Sequence, residues 1–95
     1  LVSGDNKCSL NKLKKILCEK DVSMAKPDDV KKITGFTIGG VSPVGHLKNV
    51  NIYVDEGLKR FNYIYAAAGH PNAIFKISFN QIIELTNGEI LELSE

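Results

Sequence analysis

The chain has 95 residues, 43% of them hydrophobic, which suits one small domain with a modest core and excludes several independently folded units. Twelve basic residues against 11 acidic ones leave a net charge of +1, so no overall field draws the chain to nucleic acid or to an anionic membrane. No apolar run approaches the ~20 residues that span a bilayer and no signal-peptide pattern opens the sequence, so a cytoplasmic setting away from membranes is expected.

Ser3-Gly4-Asp5-Asn6 reads as a turn, after which Leu10, Leu13, Ile16 and Leu17 recur at helical spacing behind Ser9, a suitable N-cap. Asp21 to Ala25 is a short connection or strand. Pro27 then opens a second helix, with Asp28 and Asp29 at its positive end and Gly35 as a left-handed stop. Val50–Val54 and Tyr63–Ala68 are rich in β-branched, aromatic and small residues and are predicted strands, joined through a turn or one helical turn over Glu56–Phe61. Ala73–Ile77 is a third strand. Ser78 caps a helix carrying Ile82, Ile83 and Leu85 that ends at Asn87-Gly88, and Glu89–Leu93 is a last strand. The order implies a mixed α/β fold: a mixed sheet with flanking short helices, all within one domain over residues 1–95. Cys8 and Cys18 form no C-x-x-C pair and the two histidines have no ligand spacing, so free thiols and no metal are expected.

Gly35 to Gly45 holds four glycines and Pro43 in eleven residues and cannot be core helix or central strand. It is a shaped loop of the kind whose backbone approaches a ligand, with N–H groups free to meet an oxygen. Gly69-His70-Pro71-Asn72 is a second turn after an alanine-rich strand. Asp55 ends a strand, where its carboxylate suits either an N-cap or contact with a cationic or water ligand.

The motifs Thr34-Gly35, Gly39-Gly40-Val41-Ser42-Pro43-Val44-Gly45, Val54-Asp55-Glu56 and Gly69-His70-Pro71-Asn72-Ala73-Ile74-Phe75-Lys76, in this order and spacing, resemble the YbaK-type aminoacyl-tRNA deacylases. That family includes the editing insertion of bacterial prolyl-tRNA synthetase. The resemblance covers nearly the whole chain and is most specific in the G-x-x-x-P element from Gly39 to Pro43 and in the Gly-His-Pro-Asn stretch. It implies hydrolysis of the ester that joins a wrongly attached small amino acid to the 3′ end of a tRNA. Such a second sieve is needed because a methylene changes discrimination only ~10–200-fold.

The resemblance places catalysis on Gly39, Gly40, Val41, Ser42 and Pro43, with backbone N–H groups holding the oxyanion, Ser42 adding a hydroxyl and Pro43 stiffening the loop. Asp55 would bind the substrate's ammonium group or position water. Gly45, Gly69 and His70 would contact the amino acid or terminal ribose, and His46 or Lys48 a phosphate. No cofactor is implied. The expected partners are the aminoacyl-tRNA 3′ end and an aminoacyl-tRNA synthetase. Relatives carry an essential lysine in a section that precedes the equivalent of Leu1-Val2. None of the eleven lysines here has that position. The chain is therefore read as the C-terminal two thirds of such a domain, truncated at the N-terminus, with apolar surface and an open sheet edge that lead to an expected homo-oligomer. A noncatalytic module that binds aminoacyl-tRNA ends or a synthetase is the alternative. A phosphate cradle is weaker, because the chain lacks G-x-x-x-x-G-K-[ST].

Overall fold

Capping residues set where the three α-helices begin and end. In a computed structural model describing residues 1–95, Ser9 starts α1 (Leu10–Leu17) by accepting from the Lys12 N–H at 3.2 Å. Pro27 occupies the first position of α2 (Pro27–Thr34), and Gly35, at φ 84°, closes it with an N–H to Lys31 O bond of 2.9 Å. Ser78 and Gln81 cap α3 (Phe79–Thr86) reciprocally: each side chain accepts from the other's backbone N–H at 3.2 Å.

The strands form two separate ladders. Tyr53–Asp55 (β1) runs parallel to Glu89–Leu91 (β4), while Ile64–His70 (β2) runs antiparallel to Ala73–Ile77 (β3). The mixed α/β class expected from sequence holds, with its parallel and antiparallel pairings in different sheets. A 3-10 turn, Glu56–Arg60, links β1 to β2. Val50–Ile52 falls short of the predicted strand because the parallel partner offers only three residues, although Ile52 O still accepts from Glu89 N–H at 3.0 Å. Asp21–Ala25 has no regular structure.

Val54, Leu58 and Phe79 form the centre of the core, with Ile52, Ile64 and Ile83 packed against it. The chain's two ends are held on this frame. Cys8 bridges Ser94, Ser9 N–H donates to Leu93 O at 2.6 Å and Glu95 N–H to Lys7 O at 2.9 Å. Leu1 lies alongside β1, its carbonyl accepting from Asp55 N–H at 2.8 Å. Both cysteines are free thiols, and no helix is long and apolar enough to cross a membrane.

Candidate functional site

The glycine run is a closed loop of the Ω type. Leu47 N–H donates to Thr34 O at 3.2 Å and Lys48 N–H to Ile33 O at 3.0 Å, so the segment leaves α2 and returns to the same helix end. The Leu47 side chain seats over Gly35, where an added Cβ would lie 2.9 Å from Leu47 Cγ. Within the loop, Gly40 N–H donates to Thr37 O at 2.9 Å and Gly39 takes φ 88°, the left-handed third position of a type II turn.

Gly40 is where the two motifs meet. A Cβ placed there would fall 2.8 Å from His70 C and Pro71 N and 2.9 Å from Pro71 Cδ, so the loop backbone rests directly on the backbone of the β2–β3 turn. Only glycine allows that approach. Thirty residues of sequence separate the two segments, and the fold brings them into van der Waals contact.

Phe36 fills the space beneath both. Its ring is 3.0 Å from a Cβ built on Gly69 and 3.8 Å from one built on Gly45, and it meets the His46 ring edge-on at 6.1 Å between centroids. Gly45 and Gly69 both take positive φ, 78° and 95°. Sequence reasoning passed over Phe36; the available signal was a lone aromatic inside a glycine-rich loop, where it has no regular element to serve. The β2–β3 ladder also slips between Ala67 and His70, a bulge that re-aims the His70 side chain into solvent.

Hydrogen bonds define the states of the two imidazoles. His46 Nε2 lies 2.6 Å from Ser42 O and, facing a carbonyl, carries the proton. This pins the loop and occupies one of the nitrogens expected to reach a phosphate. His70 Nδ1 accepts from Asn72 N–H at 3.1 Å, and its Nε2 faces solvent. Ser42 is buried, and its Oγ accepts from Val44 N–H at 3.3 Å. Of the three loop N–H groups expected to meet an oxyanion, that of Gly40 is taken by Thr37. Those of Gly39 and Val41 make no hydrogen bond within the protein. Val41 and Pro43 border apolar grooves of about 350 and 530 Å³ on either side of Leu1-Val2, the first walled by Ala66 and Ala67.

Asp55 has a different task from the one expected of a substrate ligand. It is 1% exposed, and its Oδ1 accepts from Leu93 N–H at 2.7 Å and Ser94 N–H at 3.2 Å. Oδ2 accepts from Ser94 Oγ at 2.5 Å and from Gly57 N–H at 3.2 Å. Four donors saturate both oxygens, so the carboxylate caps the 3-10 turn and anchors the C-terminal segment, and neither oxygen is left for an ammonium group. Burial alone would raise its pKa, but the bonds from Ser94, Leu93 and Gly57 outweigh it and hold the carboxyl below its ordinary value.

The family model of the aminoacyl-tRNA editing domain matches residues 1–85. The chain belongs to the aminoacyl-tRNA editing domain family. Among curated members, it is similar to EbsC of Enterococcus faecalis, assigned as a Cys-tRNA(Pro)/Cys-tRNA(Cys) deacylase, at 30% identity over 99% of this chain and 57% of that protein. It is likewise 35% identical to YwhH of Bacillus subtilis, over 99% of this chain and 54% of that protein. A 68-residue stretch is 35% identical to part of the proline–tRNA ligase of Caldicellulosiruptor bescii, covering 70% of this chain and 12% of the ligase. Among solved structures, a protein assigned as a trans-editing enzyme for prolyl-tRNA synthetase superposes with a TM-score of 0.95 at 37% identity, over the whole of this chain and 60% of its own. The chain thus spans little more than half the length of the curated relatives EbsC and YwhH. The editing-domain match leaves out only the last ten residues, which supply β4 and the bonds to Asp55 and Ser9.

Proposed function

We propose that this chain contributes the substrate-holding part of an aminoacyl-tRNA deacylase acting in trans on tRNA mischarged with a small amino acid. The observation that carries the reading is the backbone contact of Gly40 with His70-Pro71, which joins the loop and the turn into one wall. An aminoacyl ester is already reactive, so the site's work is to hold its carbonyl and to stabilise the oxyanion as water adds. The Gly39 and Val41 N–H groups are the donors offered to that oxyanion, and Ser42 sits between them and Pro43. Collapse of the tetrahedral intermediate breaks the ester bond, returning the hydroxyl to the terminal ribose and releasing the free amino acid. His70, exposed beside the Gly40 contact, is the proposed contact to the amino acid or the ribose. Ala66 and Ala67 line the adjoining groove. The aminoacyl-tRNA 3′ end and a synthetase are the proposed partners, and Lys48 is the remaining candidate for a phosphate contact.

The reading is tested by amino acid release from tRNA charged with alanine, cysteine or proline, using this chain and the full-length parent protein side by side. Release from at least one of them by the parent is expected. Tight binding of the charged tRNA without release by either protein would instead support the noncatalytic alternative.

The isolated 95-residue chain is also proposed to self-associate. β2 is paired on one edge only, by β3, and the apolar groove against Leu1-Val2 is open along it. Sedimentation velocity is expected to show oligomers that grow with concentration, and a monomer across the whole range would contradict this.

A further inference from the structure

Two exposed tyrosines of the β2–β3 hairpin border the same groove as Val41 and Pro43 and have no part in the chemistry described above. Tyr63, just before β2, and Tyr65 within it flank Ile64, which packs on the core, and both line the first groove. They are 54% and 64% exposed. Lys76 stands opposite Tyr65 in the ladder, and its Nζ lies 4.2 Å from the centroid of the Tyr63 ring. The chain's two ion pairs are Lys12–Glu92 and Arg60–Asp5, so the Lys76 ammonium has no carboxylate partner and rests on the ring alone.

We propose that Tyr63, Tyr65 and Lys76 form a stacking platform for unpaired nucleotides of an RNA. Two rings at alternate positions offer π-faces to successive bases, and an uncompensated cation beside them offers charge to the phosphate between. A single exposed ring needs no explanation; two rings with an unpaired lysine in register are complementary to a stacked, anionic strand. The platform is continuous with the proposed site. β2 carries the chain from Tyr65 to Gly69, four residues or ~13 Å at the strand rise, and on into the turn that touches Gly40. With the terminal adenosine at the loop, the nucleotides just before it would lie along this face. That placement rests on the deacylase reading, whereas the stacking itself does not.

The experiment is fluorescence anisotropy of a dye-labelled, unacylated oligoribonucleotide ending in CCA, titrated at low salt with the full-length parent protein and its variants. Tyr63→Ala/Tyr65→Ala is expected to weaken binding roughly tenfold or more, since each base stack lost costs about that factor. Tyr65→Phe keeps the stacking face and should bind as the unaltered protein does. Lys76→Gln should make the slope of log affinity on log salt shallower by about 0.7, the value of one phosphate contact on a single strand. These exposed positions carry no core packing, so the variants fold. Unchanged binding by the double alanine variant overturns the platform. So does an effect of that variant confined to sedimentation, which would make the face a protein contact. Oligonucleotide binding that depends on the tyrosines in a parent protein that hydrolyses no charged tRNA leaves the platform standing and removes the deacylase reading.

Discussion

Asp55→Ala is expected to destabilise the fold by about 3–5 kcal/mol, the range for removing a buried charged acceptor and orphaning its donors. Three backbone N–H groups and one hydroxyl converge on this carboxylate from both sides of the core, from Gly57 in the turn after β1 and from Leu93-Ser94 at the other end of the chain. Alanine leaves the Leu93 N–H buried with nothing to accept it and removes the acceptor of the half-buried Gly57 and Ser94 N–H groups. Against a total stability of about 5–15 kcal/mol for a domain of this kind, that is a large share of the whole. Urea unfolding at neutral pH checks the value. An unfolding free energy within 0.5 kcal/mol of the unaltered chain would show that the C-terminal segment is held by something else.

The same carboxylate gives the fold an acid limit. Its pKa is depressed in the folded state, so the unfolded chain binds the proton more readily. The contribution is complete above the ordinary value of 3.8 and is lost as pH falls below it toward the folded value. Asp55→Asn removes the titrating group, and part of the acid loss of stability should vanish with it. The amide nitrogen cannot accept from the Gly57 and Ser94 donors, so this variant also starts from a lower stability. If Asp55→Asn instead abolished hydrolysis with an unchanged unfolding midpoint, a substrate role would be restored to the residue.

The second large effect is expected at Gly40. Alanine there places a methyl group 2.8 Å from two backbone atoms of the His70-Pro71 turn and 2.9 Å from the proline ring, none of which can swing aside as a flexible side chain would. The loop and the turn must separate. Overpacking of this kind costs about 1–3 kcal/mol, and a displacement of about 1 Å at a reacting centre costs roughly 10²-fold in rate. Gly39→Ala is the informative control. Nothing lies within 4 Å of its added Cβ, but its φ of 88° is unfavourable for an L side chain, so it should lose about 1–2 kcal/mol without pushing the two segments apart. Hydrolysis by Gly40→Ala within twofold of the unaltered parent protein would sink the idea that this contact shapes the site.

What was legible in the sequence is what local chemistry determines. Ser9, Pro27, Gly35 and Ser78 mark helix ends because each supplies or removes one specific backbone bond, and the structure places all four in those roles. The glycine run reads as a loop for the same reason. What the sequence could not show is which distant groups those segments would meet. Asp55 sits where an N-cap is expected and is one, yet its other bonds run to residues 38 and 39 positions away, which no spacing rule reaches. Gly40 looked like a candidate oxyanion donor. Its N–H closes the local turn instead, and its importance lies in the hydrogen it carries in place of a Cβ. Phe36 escaped notice because packing under two glycines leaves no periodic trace. The third predicted helix was found by its cap and its Ile82-Ile83 pair, whereas the last strand stopped early. Leu93 N–H bonds the Asp55 carboxylate and its C=O accepts from Ser9, so neither joins the β1 backbone ladder.

The central claim is that the Gly39–Pro43 loop, seated on the His70-Pro71 turn, holds the ester end of an aminoacyl-tRNA. The most direct measurement is an amide NMR titration of the full-length parent protein with a 3′-aminoacylamino-adenosine, in which an amide replaces the ester so that the ligand is not consumed. The largest shifts are expected at the Gly39 and Val41 N–H groups, with a smaller one at His70, and they should disappear in Gly40→Ala. Shifts confined to other surfaces, with the amides from Gly35 to Gly45 unmoved at saturation, would contradict the claim.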